Sequence, residues 1–364
     1  MRTMMKALSS VVLMSACACV AQREPKISNA KLSVRDGGTL QTEIARVSDV
    51  AWIGYAFQTV RPINGDQQKE YLEGGQHEEV IDERQPGDPA LWANVLLRVA
   101  GGRVQKITLQ PSDRELDAGG LPLIWIDGIS SSDTIHTMNG VVEAESKAVA
   151  GLAVSREVDR DHERLLEHAM TVLAQINAPE ATPVLRGFTA ASYPAKTREK
   201  AAFWLAESRG SEGFAAIVAL LKTEKDDALR EKLVFDLTLV KGASKQAALE
   251  AVLAEVKSDP SEKVRQKAQF WLAQMAGKKM EISAGVDPRI AATLGDEARN
   301  DPNASLRKSA VFALSRMPDD QGIPKLIEVA NTAPDVATRR EAIFWLGQKK
   351  DPRALAYLEK IVRQ

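Results

Sequence analysis

The chain of 364 residues is 44% hydrophobic and 27% charged, and it carries a formal net charge of −1. Its length suits about two domains of ~100–200 residues each, and its composition is that of an ordinary folded protein. The near-neutral charge excludes a global electrostatic attraction to nucleic acid or to an anionic membrane surface.

Residues 1–21 have the pattern of a signal peptide. Arg2 and Lys6 form a basic start, residues 7–20 are apolar or small without charge, and small residues precede a cleavage position after Ala21. The apolar stretch is shorter than the ~20 residues of a membrane-spanning helix. We therefore expect an exported protein of the periplasm or the extracellular space, with no membrane span. Lipid anchoring at Cys17 is the alternative, whereas cleavage after Ala21 removes both cysteines and leaves no disulfide.

Residues 26–130 favour β-strands. Residues 51–60 and 92–99 alternate apolar and other side chains, which is the period of a strand with one buried face. Two glycines connect the second of these segments to residues 103–109, and such a short connection suits a hairpin. A further apolar run covers residues 121–126. Together these segments predict a small antiparallel β domain.

An acidic stretch interrupts this region. Residues 66–88 contain eight acidic side chains and two basic ones, and glycines and prolines lie among them. We interpret the stretch as a solvated loop. A calcium site is the alternative, because Ca²⁺ prefers carboxylate oxygens, but the alternating Asp/Asn spacing of a calcium-binding loop is absent.

A short phrase recurs in residues 131–364, which are predicted to be helical. It reads Phe-Trp-Leu in three copies and Phe-x-Leu in two weaker ones, and successive closing leucines lie 32 to 42 residues apart. A period in this range is typical of stacked helix pairs. We therefore predict an α+β protein in which an all-α solenoid of about six helix pairs follows the β domain. The full copies are Phe203, Trp204, Leu205, Phe270, Trp271, Leu272, Phe344, Trp345 and Leu346.

These phrases are predicted to form the core of the repeats. On a helix, Ala268, Trp271 and Leu272 share one stripe, whereas Phe270 points to the opposite side. A helix that is apolar on two sides must be covered on two sides, by the second helix of its own repeat and by the next repeat. Replacing Trp271 or Trp345 with alanine is therefore expected to cost ~3–5 kcal/mol of stability, as for a buried ring.

An arginine stands five residues before each aromatic phrase, at Arg198, Arg230, Arg265, Arg307 and Arg339. Asp-Pro pairs precede two of these arginines by six residues, where aspartate can cap a helix and proline fits its first turn. We expect the arginines to form a ladder with carboxylates of adjoining repeats. Its role is register more than stability, since an exposed ion pair contributes ~0–1 kcal/mol. A row of arginines that binds an anion is the alternative.

The phrases Asp-Pro…Arg-x-x-Ala-x-Phe-Trp-Leu at 259–272 and Gly-Ile-Pro-x-Leu-Ile-x-Val-Ala at 322–330 resemble bacterial HEAT repeats, including the lyase-like ones. The resemblance covers residues 154–362. It implies an α-solenoid that binds other macromolecules on an extended surface. The segments at 52–55 and 117–122 resemble the front half of exported bacterial HEAT-repeat proteins.

No recognisable catalytic or metal-binding motif occurs in the sequence. His162 and His168 are six residues apart and do not share a helix face, and the chain lacks His-Glu-x-x-His, Gly-x-Ser-x-Gly and phosphate-binding signatures. We therefore expect no catalytic residue, no cofactor and no metal. We interpret the chain as a non-enzymatic scaffold whose partner is another protein and not nucleic acid.

Two other functions stay open. An envelope regulator or sensor would couple the β domain to the solenoid, and it would expose an apolar patch on both parts. The resemblance also implies a lyase-like HEAT enzyme that acts on a partner protein, since some members of that group attach bilin pigments to cysteines of partner subunits.

Overall fold

The computed structural model describes residues 25–63, 69–73, 92–151, 156–241, 244–277 and 287–363. The predicted signal peptide, with Cys17, and most of the acidic stretch at 66–88 lie outside the described residues. Within them, a region of strands precedes a long series of helices, as the sequence predicts.

The described residues contain eight strands: β1 (Lys26–Ser28), β2 (Lys31–Asp36), β3 (Ala51–Gln58), β4 (Lys69–Tyr71), β5 (Trp92–Ala100), β6 (Arg103–Pro111), β7 (Glu115–Asp117) and β8 (Pro122–Asp127). They form a five-stranded sheet of order β2-β8-β3-β5-β6 and a three-stranded sheet of order β1-β7-β4. The four strands expected from alternation and apolar runs correspond to β3, β5, β6 and β8. The other four are not predicted from the sequence. β1, β4 and β7 are only three residues long, and β2, in which Leu32 and Val34 alternate with polar residues, is exposed along its length.

The larger sheet is mixed, where a purely antiparallel one is predicted. β3, β5 and β6 are antiparallel, and Gly101 and Gly102 turn the β5–β6 hairpin with positive φ angles of 55° and 69°. In contrast, β8 is parallel to both of its neighbours, β2 and β3. The difference arises because alternation shows which face of a strand is buried, but not which strand lies beside it or in which direction that strand runs.

The central strands of the larger sheet, β3 and β5, are covered on both faces. Ile53 and Tyr55 pack with the helices, while Trp52 and Trp125 lie in a second core beneath the three-stranded sheet. Gly54 allows this close packing, because a Cβ atom at its position would lie 2.6 Å from the Trp125 ring. The centre of the sheet is therefore an inner layer, whereas β2 is exposed along its length.

Fourteen helices occur in the described residues: α1 (Leu40–Arg46), α2 (Ser131–Gly151), α3 (Arg156–Gln175), α4 (Ala181–Gly187), α5 (Ala195–Ser208), α6 (Gly210–Thr223), α7 (Asp227–Leu239), α8 (Lys245–Ser258), α9 (Glu262–Met275), α10 (Pro288–Asn300), α11 (Ala304–Arg316), α12 (Asp319–Thr332), α13 (Val336–Gly347) and α14 (Pro352–Val362). From α3 onward they form six pairs. The first helices of the pairs, α3, α5, α7, α9, α11 and α13, pack against one another in sequence. The predicted solenoid of about six pairs is confirmed.

The sheet and the solenoid share one hydrophobic core. α2 begins at Ser131, next to the predicted boundary at residue 130, and the core cluster continues from β3 and β5 into α2, α3 and the repeats. The backbone also joins the two parts. The N–H of Val60 donates to the carbonyl of Gln175 (2.8 Å), and the N–H of Asn177 donates to the carbonyl of Gln58 (2.8 Å). The first helix pair is therefore packed against the sheet and bonded to its β3 end.

The Phe-Trp-Leu phrases divide between core and surface. Their leucines are fully buried, and Trp204, Trp271 and Trp345 are half-buried. Phe203 and Phe270 are also half-buried, whereas Phe344 is 55% exposed, so its assignment to the repeat core is wrong. Phe344 lies about 200° around the helix from the buried Leu346, and the second side of the helix, which is predicted to be covered, is left largely open at this residue.

Candidate functional site

The five repeat arginines lie at the junctions between repeats. Arg230 bonds Asp259 (3.1 Å), Arg265 bonds Asp301 (3.2 Å) and Arg307 contacts Asp335 (3.5 Å), each acid standing just before the next first helix. Arg198 pairs in the same way with Glu224, and Arg339 donates to the carbonyls of Ala333 (2.7 Å) and Pro334 (3.0 Å). The guanidinium groups thus bond to acceptors within the chain, and this arrangement favours the ladder over an anion-binding row.

Two of these junctions carry a second carboxyl group. Burial, a hydrogen bond with Asp259 and the charge of Asp259 together raise the pKa of Glu255 to about 7, although the charge of Arg230 opposes them. Glu297 has the same relation to Asp301, and its pKa is likewise raised to about 7 by burial and by that aspartate. The paired carboxyls are part of the repeat junctions, so we assign them a structural role.

A cleft of about 930 Å³ lies between the sheet and the first two repeats. One wall is the edge strand β6, and the opposite wall is built by α3 and α5. The remaining sides come from the segment that follows β3, from β4 and from the segment after α7. The lining residues are Arg61, Pro62, Ile63, Glu70, Lys106, Ile107, Thr108, Leu109, Gln110, His168, Thr171, Gln175, Trp204, Glu207 and Lys241.

The edge strand presents free backbone groups to this cleft. The N–H of Ser112, just after β6, donates to the carbonyl of Trp92 (3.2 Å). This bond shows that the backbone groups of Ser112 face β5. Because alternate residues of an antiparallel strand face the partner, Thr108 also directs its backbone groups to β5. The N–H and C=O groups of Ile107 and Leu109 then point away from β5, and neither residue bonds to another backbone segment of the described chain.

The charged end of the cleft centres on one carboxylate. Glu207 accepts bonds from Arg61 and from Lys241 (2.8 Å). Burial by itself raises the pKa of Glu207, but the hydrogen bonds from Lys241 and Arg61 outweigh it and hold this pKa below its usual value. Glu207 is therefore ionised at neutral pH and carries one negative charge, whereas Arg61 and Lys241 carry two positive charges. These three side chains together have a net charge of +1.

Trp204 forms the apolar side of the cleft. Its ring contacts Phe203 edge to face with centroids 5.1 Å apart, and its indole Nε1 is buried with no hydrogen-bond partner in the described residues. The cleft therefore combines backbone groups of a strand edge, an aromatic wall and a cationic end. Of the cleft residues, only Trp204 is foreseen from the sequence, since the cleft is formed by segments far apart in the chain.

The described residues hold no group of three His, Cys, Asp or Glu side chains that could bind a metal ion. His168 lines the cleft and is exposed, whereas His162 is bonded to Glu145. None of the helices in the described ranges is long and apolar enough to cross a membrane. The acidic residues 74–88 considered for calcium lie outside the described chain.

The comparisons with known proteins concern the helical part. Residues 291–364 match the family model of HEAT repeats. No curated protein matches the sequence of the chain. Among solved structures, Escherichia coli YibA is 15% identical, with 65% of this chain and 100% of YibA covered and a TM-score of 0.34. Human deoxyhypusine hydroxylase is 16% identical, with 62% of this chain and 90% of that chain covered and a TM-score of 0.27.

The complex of CpcE and CpcF of phycocyanin lyase from Nostoc is also similar, at 15% identity and a TM-score of 0.27, with 64% of this chain and 89% of that chain covered. At such identities the similarity is limited to helical repeat architecture. The chain thus carries HEAT repeats at its carboxyl-terminal end, within a solenoid of helix pairs that follows a β-rich region.

Proposed function

We propose that the protein is an exported, non-enzymatic scaffold that binds a segment of another protein in the cleft between β6 and the first repeats. The observation that carries this proposal is the open edge of β6. Within the described residues, the backbone donors and acceptors of Ile107 and Leu109 have no backbone partner, and they lie along a groove that α3 and α5 enclose from the other side. An extended peptide can add to such an edge as a further strand.

The dimensions of the cleft suit one such strand. Residues 106–110 of β6 line it, and at ~3.3 Å per residue they span ~17 Å. A partner segment of about five residues would pair with them. Its side chains would alternate between the aromatic wall at Trp204 and the opposite face, which carries Lys106 and Thr108. A carboxylate in the partner would complement the excess charge beside Arg61 and Lys241.

In-cell photo-crosslinking tests this proposal. A photoreactive amino acid at Thr108, in the cleft, is compared with one at Glu359, on the exposed face of α14. We expect Thr108 to crosslink to a defined protein and Glu359 not to do so. Equal crosslinking at both positions, or crosslinking to no protein, would contradict the proposal. Recovery of a chromophore in place of a protein would support the lyase alternative.

Export is tested separately by N-terminal sequencing of the mature protein from cell fractions. We expect cleavage after Ala21 and recovery of the mature protein outside the cytoplasm. A blocked N-terminus at Cys17 in the membrane fraction would instead indicate lipid anchoring. A cytoplasmic protein that begins at Met1 would contradict export.

A regulator that couples two partners is the second candidate function. It is favoured by exposed apolar side chains on both parts of the molecule. Leu32 and Val34 are 49% and 52% exposed on β2, and Phe312 and Phe344 are exposed on the solenoid. Simultaneous binding of two proteins, one lost in Leu32→Ser and the other in Phe344→Ser, would distinguish this function from a scaffold with one partner.

A further inference from the structure

The last repeats carry an aromatic patch formed by Phe312, Phe344 and Trp345. Trp345 of α13 contacts both phenylalanine rings, with centroids 5.3 Å apart in each case. Phe312 of α11 is 36% exposed and Phe344 is 55% exposed, so the patch faces solvent. It lies on helices well beyond the first two repeats, which build the cleft, and it is a separate surface.

Three cationic side chains surround the aromatic patch. Lys308 and Arg316 stand four residues before and after Phe312, and Arg340 stands four residues before Phe344. Residues four apart lie on the same face of a helix, so these charges flank the rings. All three side chains are exposed, and none forms an ion pair with any residue of the described chain.

In the earlier repeats, the charged side chains on the corresponding face of the first helices form ion pairs with one another. There Lys232 of α7 pairs with Glu199 of α5 (3.2 Å), and Lys200 of α5 pairs with Glu167 of α3 (2.6 Å). Glu199 stands one residue after the ladder arginine of its helix, and Lys308 and Arg340 occupy this position in α11 and α13. The exchange of an acid for a base leaves the aromatic patch with positive charge that no ion pair among the described residues compensates.

One acidic side chain adjoins the patch, and it is already engaged. Glu341 accepts a hydrogen bond from Nε1 of Trp345 (3.0 Å), which holds the indole in place between the two phenylalanines. The rings therefore form a fixed apolar centre, while the surrounding cations remain available. A partner must supply apolar side chains for the centre and carboxylates for its surroundings.

We infer that the aromatic patch docks an acidic segment of a partner protein in which two apolar residues are flanked by carboxylates. The two exposed rings lie on adjacent helices, whose axes are ~8–10 Å apart, so two apolar side chains of the segment can each contact one ring. Lys308, Arg316 and Arg340 then pair with the flanking acids. The inference extends the proposed scaffold role to a second surface, and it stands even if the cleft proves empty.

The test uses the full chain and two short synthetic peptides that share one phenylalanine and one leucine. Glutamates flank these residues in the first peptide, and lysines flank them in the second. In fluorescence anisotropy, the glutamate peptide should bind, less tightly as salt is raised, and the lysine peptide should not bind. The double variant Lys308→Glu/Arg340→Glu should lose at least ten-fold in affinity for the glutamate peptide and should gain affinity for the lysine peptide.

Two further variants separate docking from folding. Phe344→Ser should lose at least ten-fold in peptide affinity with an unchanged melting temperature, because its ring is mostly exposed. Lys232→Glu, which changes a charge on the equivalent face of α7, should leave the affinity unchanged. Equal binding of both peptides, or insensitivity to the charge reversal, would overturn the inference. So would binding to anionic phosphatidylglycerol vesicles, or self-association, through the patch without peptide binding.

Discussion

Trp271 stacks against Phe235, which belongs to the first helix of the preceding repeat, with ring centroids 4.7 Å apart. The same tryptophan also contacts Phe270 of its own helix at 5.0 Å. Trp271 therefore bridges two repeats, and Trp345 contacts Phe312 of its preceding repeat in a similar way. Contacts between neighbours of this kind make repeat stacking cooperative.

We expect Trp271→Ala to destabilise the protein by about 2–3 kcal/mol, which is less than for a fully buried ring because this one is half-buried. In a double-mutant cycle with Phe235→Ala, the coupling energy should be about 0.5–1.5 kcal/mol, the range for an aromatic pair. Urea denaturation followed by circular dichroism measures both values. An unchanged midpoint for Trp271→Ala would mean that the ring serves as a surface ligand and not as a packing element.

Phe344→Ala and Leu346→Ala should differ strongly, although the two residues are separated by one position. Leu346 is fully buried, so its truncation should cost ~2–5 kcal/mol. Phe344 is mostly exposed, so its truncation should stay within about 0.5 kcal/mol of wild type. Thermal unfolding of the two variants measures the difference. Similar losses of stability would contradict the placement of Phe344 on the surface.

Stability should fall as the pH rises through about 7, because Glu255 and Glu297 have pKa values raised from 4.5 to about 7 in the folded chain. A raised folded-state pKa favours folding below the unfolded value, and this stabilisation is lost as the pH rises through the folded value. The double variant Glu255→Gln/Glu297→Gln mimics the protonated form. It should weaken the pH dependence between pH 5 and pH 8 by about 1 kcal/mol per site, after discounting for solvent screening.

The control for this pH experiment is Glu359→Gln, an exposed glutamate of α14. This variant should retain the fall in stability between pH 5 and pH 8, because Glu255 and Glu297 are intact. A profile for the double variant that runs parallel to wild type would show that the two carboxyl pairs do not titrate differently in the folded state.

Asp236→Asn should stabilise the protein at pH 8. Asp236 takes the place of the tryptophan in the Phe-x-Leu phrase of α7, and it is buried, with Oδ2 lacking a partner in the described residues. Burial and the nearby charge of Glu199 raise its pKa well above the usual value, whereas Lys232 opposes them. The asparagine removes the cost of ionisation, so its advantage should grow with pH. A loss of stability at pH 8 would indicate that the ionised carboxylate is bonded in solution.

The repeats are predictable from the sequence because their signal is local. The spacing of leucines 205, 237, 272, 314 and 346 reports the period, and each of these leucines is buried. The ladder of Arg230 and Arg265 is also predictable from the sequence. The aspartates that these arginines bond each stand six residues before the next ladder arginine. In contrast, Phe270 and Phe344 hold the same place in their phrases, yet Phe270 is half-buried and Phe344 is 55% exposed, so the phrase alone does not show which phenylalanine is covered.

The cleft could not be predicted, because its walls are separated by about a hundred residues in the chain and meet through tertiary contacts. The bonds that join Val60 to Gln175 and Gln58 to Asn177 have no sequence signature, since they involve backbone atoms. The edge position of β6 likewise depends on the order of all strands in the sheet, and alternation does not encode that order. The sequence signals the elements but not the site that they form together.

The open edge of β6 is the central element of the proposed binding mode. Amide hydrogen exchange of Ile107 and Leu109, measured in the full chain with and without the protein that crosslinks at Thr108, tests this claim. We predict that both amides exchange readily in the free protein and become at least ten-fold more protected in the complex, while amides of α14 do not change. Unchanged exchange at Ile107 and Leu109 in a saturated complex would contradict strand addition in the cleft.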